Sequence, residues 1–263
     1  MRSLKLFFQS FIPAFFFFSM MIMAAVLWVS PFSKPQQSFS SSHLTLPSDR
    51  DSLTVLAIHA DQTLQSLSLI SIKPKQGEVL IHSFPPNSII NGNKLSTLWE
   101  NGEKEVLLSL LSSYSGYQIQ RQIQVNDRQL NSLIDYFGPI SVVLEEKLCY
   151  KQSGLSVTME PGFQRLNSVQ CRHYLQQASS DYLRARRCDE LLQNAINENW
   201  SVLASPQAQK VFLDLLDLCD TDLSVNDLDS YGESYAVMAQ LIKQPAMIKK
   251  SSASYETELS ITN

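Results

Sequence analysis

Arg184 and Arg187 stand three residues apart in "DYLRARRCDE", and Asp181 stands three residues ahead of them. That spacing puts the two arginines on one helical face. A guanidinium pairs its N–H donors with phosphate or carboxylate oxygens, so the chemistry on offer is anion binding, with Arg165 and Arg172 as further candidate donors. A solvated face whose arginines pair with Asp181, Asp189 or Glu190 explains the same spacing. At "SFPPN", Ser83 to Asn87, an apolar strand-like run ends on Pro86 and Asn87, where charged side chains would have suggested a site. His59 and His82 fall in strand-like runs and read as packing or hydrogen-bonding residues; His173 lies in a helical stretch. Cys149, Cys171, Cys188 and Cys219 show no CxxC and no repeated Cys/His pair, so no metal site is expected. They can pair in three ways or remain buried thiols, and spacing does not choose.

Composition narrows the classes. A net charge of −4 gives no reason to expect nucleic acid as a partner. Only 8 glycines argue against repeated phosphate-cradling loops. With 263 residues and 44% hydrophobic content, the chain can build one anchor and one domain with a real core.

The elements that must position these residues follow from pattern. Phe7 to Val29 carries no charge and is long enough to span the roughly 30 Å hydrocarbon layer as a helix. Arg2 and Lys5 precede it, so residues 1–6 are expected in the cytoplasm and the rest outside. A cleaved signal peptide is the alternative, but its apolar core would be shorter and would end in a small-x-small site. Residues 30–52, rich in Ser, Pro and Gln, read as a linker. "LTVLAIHA", "QSLSLISI" and "EVLIHSF" read as strands, the last pair joined by a turn at "KPKQGE". Then come a helix over 104–113, a strand at "YQIQRQIQV", a helix capped by Asn126 with Gln129 behind it and Gly138 closing it, and a strand at "ISVVLEE". "GLSVTMEPGFQRL" reads as irregular strand and turn. Four helical stretches follow, from "NSVQCRHYLQQ" to "SVNDLDSYGESYAVMAQLIKQ", and residues 245–263 read as a flexible tail. The interleaving predicts an α/β class: a single layered α/β/α domain with a central mixed sheet over 53–244, preceded by one transmembrane helix.

The order of these pieces resembles the LytR-CpsA-Psr family of bacterial cell-envelope proteins, from about Leu53 to Tyr231 and with the anchor in front. "SLISIKPKQGEVLIHSFPPN" is similar to the family's strand-turn-strand ending in Pro-Arg-Asp. "RLNSVQCRHYLQQ", "DYLRARRCDELLQNAI" and "TDLSVNDLDSY" resemble its later segments. The resemblance implies a phosphotransferase that moves a glycopolymer from a polyprenyl diphosphate to peptidoglycan, with Mg²⁺ if that activity is retained. It also implies a greasy cavity for the lipid, for which Phe137, Phe163, Tyr182, Trp200 and Phe212 are candidate linings and equally good core residues.

Carried over residue by residue, the resemblance finds charge missing. The family's Asp at the start of the second strand falls on Gln65. Its Arg and Asp after the third fall on Pro86 and Asn87, and two later arginines on Gln176 and Ala178. Tyr174, Asp181, Arg184 and Arg187 match, and the following Gln has become Cys188. Arg184, Arg187 and Asp181 are thus the expected remnant of a diphosphate site, and Asp61 can replace a lost metal carboxylate or cap a loop. The expected function is binding of a polyprenyl glycolipid, a glycan or an envelope partner at the membrane, with weak or no transfer activity. An active glycopolymer–peptidoglycan ligase and a ligand-free regulatory ectodomain are the alternatives.

Overall fold

The computed structural model describes residues 47–152 and 154–248. The expected cytoplasmic segment, anchor and most of the linker lie outside the described residues. Among the described residues no helix is long and apolar enough to cross a membrane.

A six-stranded mixed sheet carries the domain. Strands β1 (Leu53–Ala60), β2 (Leu64–Lys73) and β3 (Glu78–Phe84) run as an antiparallel meander. Strand β6 (Arg121–Val125) lies parallel to β1 on its other side, and β11 (Asp220–Thr221) closes that edge. Strand β12 (Ala246–Ile248) pairs parallel with β3 at the opposite edge. Short strands β4 (Ile89–Ile90) and β5 (Asn93–Lys94) form a small turn after β3.

Alternation along the strands sorts the core into layers. Leu67 and Leu69 of β2 and Phe84 of β3 join one cluster with Leu95 and Leu98 of α1 (Leu95–Glu100) and Leu107 and Leu111 of α2 (Lys104–Ser115). Ile70 and Ile72 of β2, with Val79 and Ile81 of β3, join another cluster holding Trp200 and Met238. Helix α5 (Asp181–Asn199) and helix α7 (Val225–Leu241) contribute to that second layer. A third cluster gathers α3 (Asp127–Phe137), α4 (Ser168–Gln176) and two ribbons, β7 (Ile140–Leu144) with β10 (Gly162–Leu166), and β8 (Leu148–Gln152) with β9 (Leu155–Met159). Helix α6 (Ala208–Leu218) completes the list. The mixed α/β class and the central mixed sheet agree with the sequence reading.

Local signals act as expected in several places. Asn126 caps α3 by accepting from Gln129 N at 2.9 Å, while Gln129 Oε1 accepts from Asn126 N at 3.0 Å. Gly138 closes the helix at φ 96°, a backbone state that favours glycine. Ser180, rather than Asp181, caps α5 through its hydroxyl.

One expectation needs correction. The domain does not end at 244: Ala246–Ile248 form a strand whose Ala246 N donates to Asn197 Oδ1 at 2.9 Å. The stretch read as irregular strand and turn, 154–166, supplies strands of both ribbons. All four cysteines are free thiols.

Candidate functional site

The site forms where parallel strands end together. His59 of β1 is the register partner of Val125 of β6, and α3 starts directly after β6. Asp127, in the first turn of α3, is thereby delivered to His59, whose Nε2–H donates to Asp127 Oδ1 at 2.8 Å. The positive end of the helix dipole favours a carboxylate at that position. Because β2 runs antiparallel to β1, its first residues return to the same edge, bringing Gln65 and Ser66. Helix α4 adds Arg172 and Gln176, which share a face at a spacing of four. Arg184 enters from the first turn of α5, and Asp61 and the apolar Leu130 and Leu175 complete the lining.

The resulting cleft has a volume of about 130 Å³. That is below the roughly 300–1,000 Å³ of pockets enclosing a drug-sized ligand, so the described cleft suits a compact polar group better than a long chain.

The residues expected from the sequence divide between the cleft and its surroundings. Gln65, Gln176 and Arg184 line it together. Gln65 Nε2 donates to Thr63 Oγ1 at 2.8 Å. Pro86 and Asn87 shape its flank: Pro86 O accepts from Ser96 N at 2.8 Å, and Asn87 Nδ2 donates to Asp181 Oδ2. Asp181 Oδ1 in turn accepts from Arg184 Nη1 at 3.2 Å. The neutral amide of Asn87 therefore sits against a carboxylate that already holds the arginine. Ala178 lies beyond the end of α4 and is not among the lining residues.

Arg187 takes a different environment. It is 6% exposed. Its Nη1 donates to Tyr174 O at 2.6 Å, and its guanidinium lies 4.5 Å from the centroid of the Tyr174 ring. The Tyr174 hydroxyl donates to Glu190 at 2.7 Å, and burial together with Glu190 pushes its phenol up from the ordinary range. Arg165 also lies elsewhere, donating to Pro139 O at 3.0 Å. Among the aromatic candidates, Trp200 is buried in the core, while Phe163 is 68% exposed and Tyr182 is 56% exposed.

Behind the cleft a polar seam runs between sheet and α5. Ser68 and Ser83, paired across β2 and β3, share a hydrogen bond of 2.5 Å, and Ser68 lies 3.7 Å from Cys188 Sγ. Burial pushes the Asp189 carboxyl up to about 6, against the hydrogen bonds Ser83 offers it, and its Oδ1 has no partner. Burial likewise pushes the Cys188 thiol up.

Arg172, a candidate donor in the sequence, does line the cleft, whereas the pairing of His59 with Asp127 is the part of the site that motif reasoning did not assign. His59 and Asp127 are 68 positions apart, so no local spacing joins them. The usable signal was topological: side chains at the carboxyl ends of neighbouring parallel strands converge.

Magnesium takes oxygen ligands, commonly one or two carboxylates with substrate phosphates. Asp61 and Asp127 face the space, but Asp127 is engaged by His59 and Gln65 stands where a carboxylate was expected. Among the described residues no group of three His, Cys, Asp or Glu is placed to hold a metal. The donor set does not fit a resident Mg²⁺.

Comparison with known proteins agrees with this architecture. The model of the LytR_cpsA_psr family matches residues 44–260. A Eubacterium siraeum protein given the provisional name of transcription regulator superposes with a TM-score of 0.70 at 17% identity, over 81% of this chain and 89% of that one. TagV of B. subtilis gives 0.62 at 16% identity, over 76% and 85%. TagT bound to LIIa-WTA gives 0.57 at 15% identity, over 76% and 79%. At such identities these structures speak to the fold alone. No curated protein matches.

Proposed function

We infer, since this chain belongs to the LytR_cpsA_psr family, that it is an extracytoplasmic envelope domain held at the bacterial membrane by residues 7–29. It binds a polyprenyl-linked glycolipid or its glycan and carries weak or no phosphotransferase activity. The observation that supports weak transfer is the neutral character of the expected charge positions. Gln65 and Gln176 line the cleft, and the Asn87 amide is spent on Asp181. Each lost charged contact weakens the hold on a phosphate by about 1.5–3 kcal/mol. That TagT is bound to LIIa-WTA and LI-WTA supports a glycolipid of related chemistry here.

A working ligase is the second reading. It is favoured by Arg172, which joins Arg184 in the cleft and restores part of the missing positive charge.

The purified full chain is expected to carry polyprenyl lipid detectable by mass spectrometry. With Mg²⁺ and a polyprenyl-diphosphate glycan, transfer is expected to run at least about 100-fold below the rate of TagT, the loss that two missing charged contacts predict. Absence of lipid overturns the binding reading. Transfer at the rate of TagT, abolished by Arg184→Ala, selects the ligase.

A further inference from the structure

We propose that His59, oriented by Asp127, is a general base of this cleft, and that it supports a slow, metal-independent hydrolysis of a diphosphate ester. This rests on the binding reading above for the substrate class and goes beyond it in the chemistry.

The geometry is that of a base and its orienting carboxylate. The Nε2–H of His59 donates to Asp127 Oδ1 at 2.8 Å, which fixes the tautomer and leaves Nδ1 as the basic nitrogen. Both residues line the cleft, so the pair adjoins the space a ligand would occupy. His59 sits on β1, and the capping box at Asn126 anchors the turn that carries Asp127. Both partners thus stand on rigid elements rather than loops. The charged groups facing the imidazole across the cleft are Asp61 after β1, Asp127 on α3, Arg172 on α4 and Arg184 on α5. The arginines supply what a phosphate needs, and the histidine supplies what the attacking water needs. Ser66, the cross-strand partner of His59, lines the same space and offers a hydroxyl beside the base.

The step balances without an added cation. A water proton passes to His59 Nδ1 as the water oxygen bonds to the terminal phosphorus. The bond from that phosphorus to the bridging oxygen breaks, and its electron pair leaves with the inner phosphate. Arg172 and Arg184 offset the charge that develops there. Inorganic phosphate and an organic monophosphate depart, and His59 returns the proton to solvent.

Farnesyl diphosphate is the probe, with the full chain in detergent and EDTA present to remove metals. Phosphate release measures turnover, and calorimetry measures binding. The wild type is expected to release phosphate with EDTA present. His59→Gln is expected to slow release by about 100-fold or more, the span of general-base catalysis, with affinity held within about twofold. Asp127→Asn is expected to slow it by at least about 10-fold while the protein still binds the probe, since the partner of the base is then no longer a carboxylate. Imidazole is expected to restore part of the rate to His59→Ala, a rescue that a structural role would not give. Binding without release by the wild type, or release unchanged in His59→Gln, overturns the proposal and leaves the binding reading standing. No binding of the probe overturns both.

Discussion

Arg184 and Arg187 sit three residues apart on α5, yet one borders the cleft and the other is sealed against Tyr174. Arg184 shares Asp181 with Asn87 and keeps donors facing the cleft. Arg187 uses its donors on the Tyr174 carbonyl and on Glu146, and its planar face on a ring. The same residue type at neighbouring positions serves recognition in the first turn and architecture in the next. Charge in a motif is therefore a poor guide to function until its surroundings are known. A buried guanidinium must be paired or it costs several kcal/mol, whereas an exposed one is free to meet a ligand.

The largest effect should come from the sealed arginine. Arg187→Ala removes a charged hydrogen bond and a cation–π contact and leaves a cavity beside Tyr174. A loss of about 3–4 kcal/mol is expected in urea unfolding. A loss below about 1 kcal/mol would erase the contrast between the two arginines.

Asp189, two residues beyond Arg187, is also buried and adds a pH signature. Its folded pKa, about 6, lies above the unfolded value of 3.8. The native state therefore holds this proton more tightly than the unfolded chain. The resulting stabilisation is full below pH 3.8 and is lost as pH rises through about 6. Wild-type stability relative to Asp189→Asn is expected to fall by about 2 kcal/mol between pH 4 and pH 7, read from unfolding curves at each pH. A flat difference would remove Asp189 from the sealed class.

On the cleft side, Arg184→Ala is expected to leave stability within about 1 kcal/mol, as for other partly exposed ion pairs. Binding of a diphosphate probe should weaken by about 10- to 100-fold, as calorimetry would show. The smallest effect is expected at the flank. Asn87→Asp, which restores the residue of the family motif, places a second carboxylate against Asp181 and should cost about 1 kcal/mol. A stabilised Asn87→Asp variant would mean that the flank tolerates the family's charge after all.

The sequence made α3 and α5 legible because their signals are local. Asn126, Gln129 and Gly138 act within one helix, and Ser180 caps the next. The strands of the meander were readable for the same reason, as apolar runs separated by short turns. Strand β12 was missed because its short length carries no pattern and its partner β3 lies more than 160 positions earlier. In the site, Gln65, Gln176 and Arg184 were foreseen through the family resemblance. The His59–Asp127 pair was not, since only the parallel pairing of β1 with β6 brings it together. Arg187 looked like a ligand because helical spacing reports a shared face and says nothing of what covers that face.

The closing strand has a practical corollary for anyone trimming this protein. Val79 N donates to Pro245 O at 2.8 Å, and Asn197 clasps Ala246 from α5. Cutting the chain at residue 244 would strip these donors and acceptors of their mates and present β3 as a bare rail. Such rails recruit one another, so the shortened protein is expected to clump where the longer one stays dispersed.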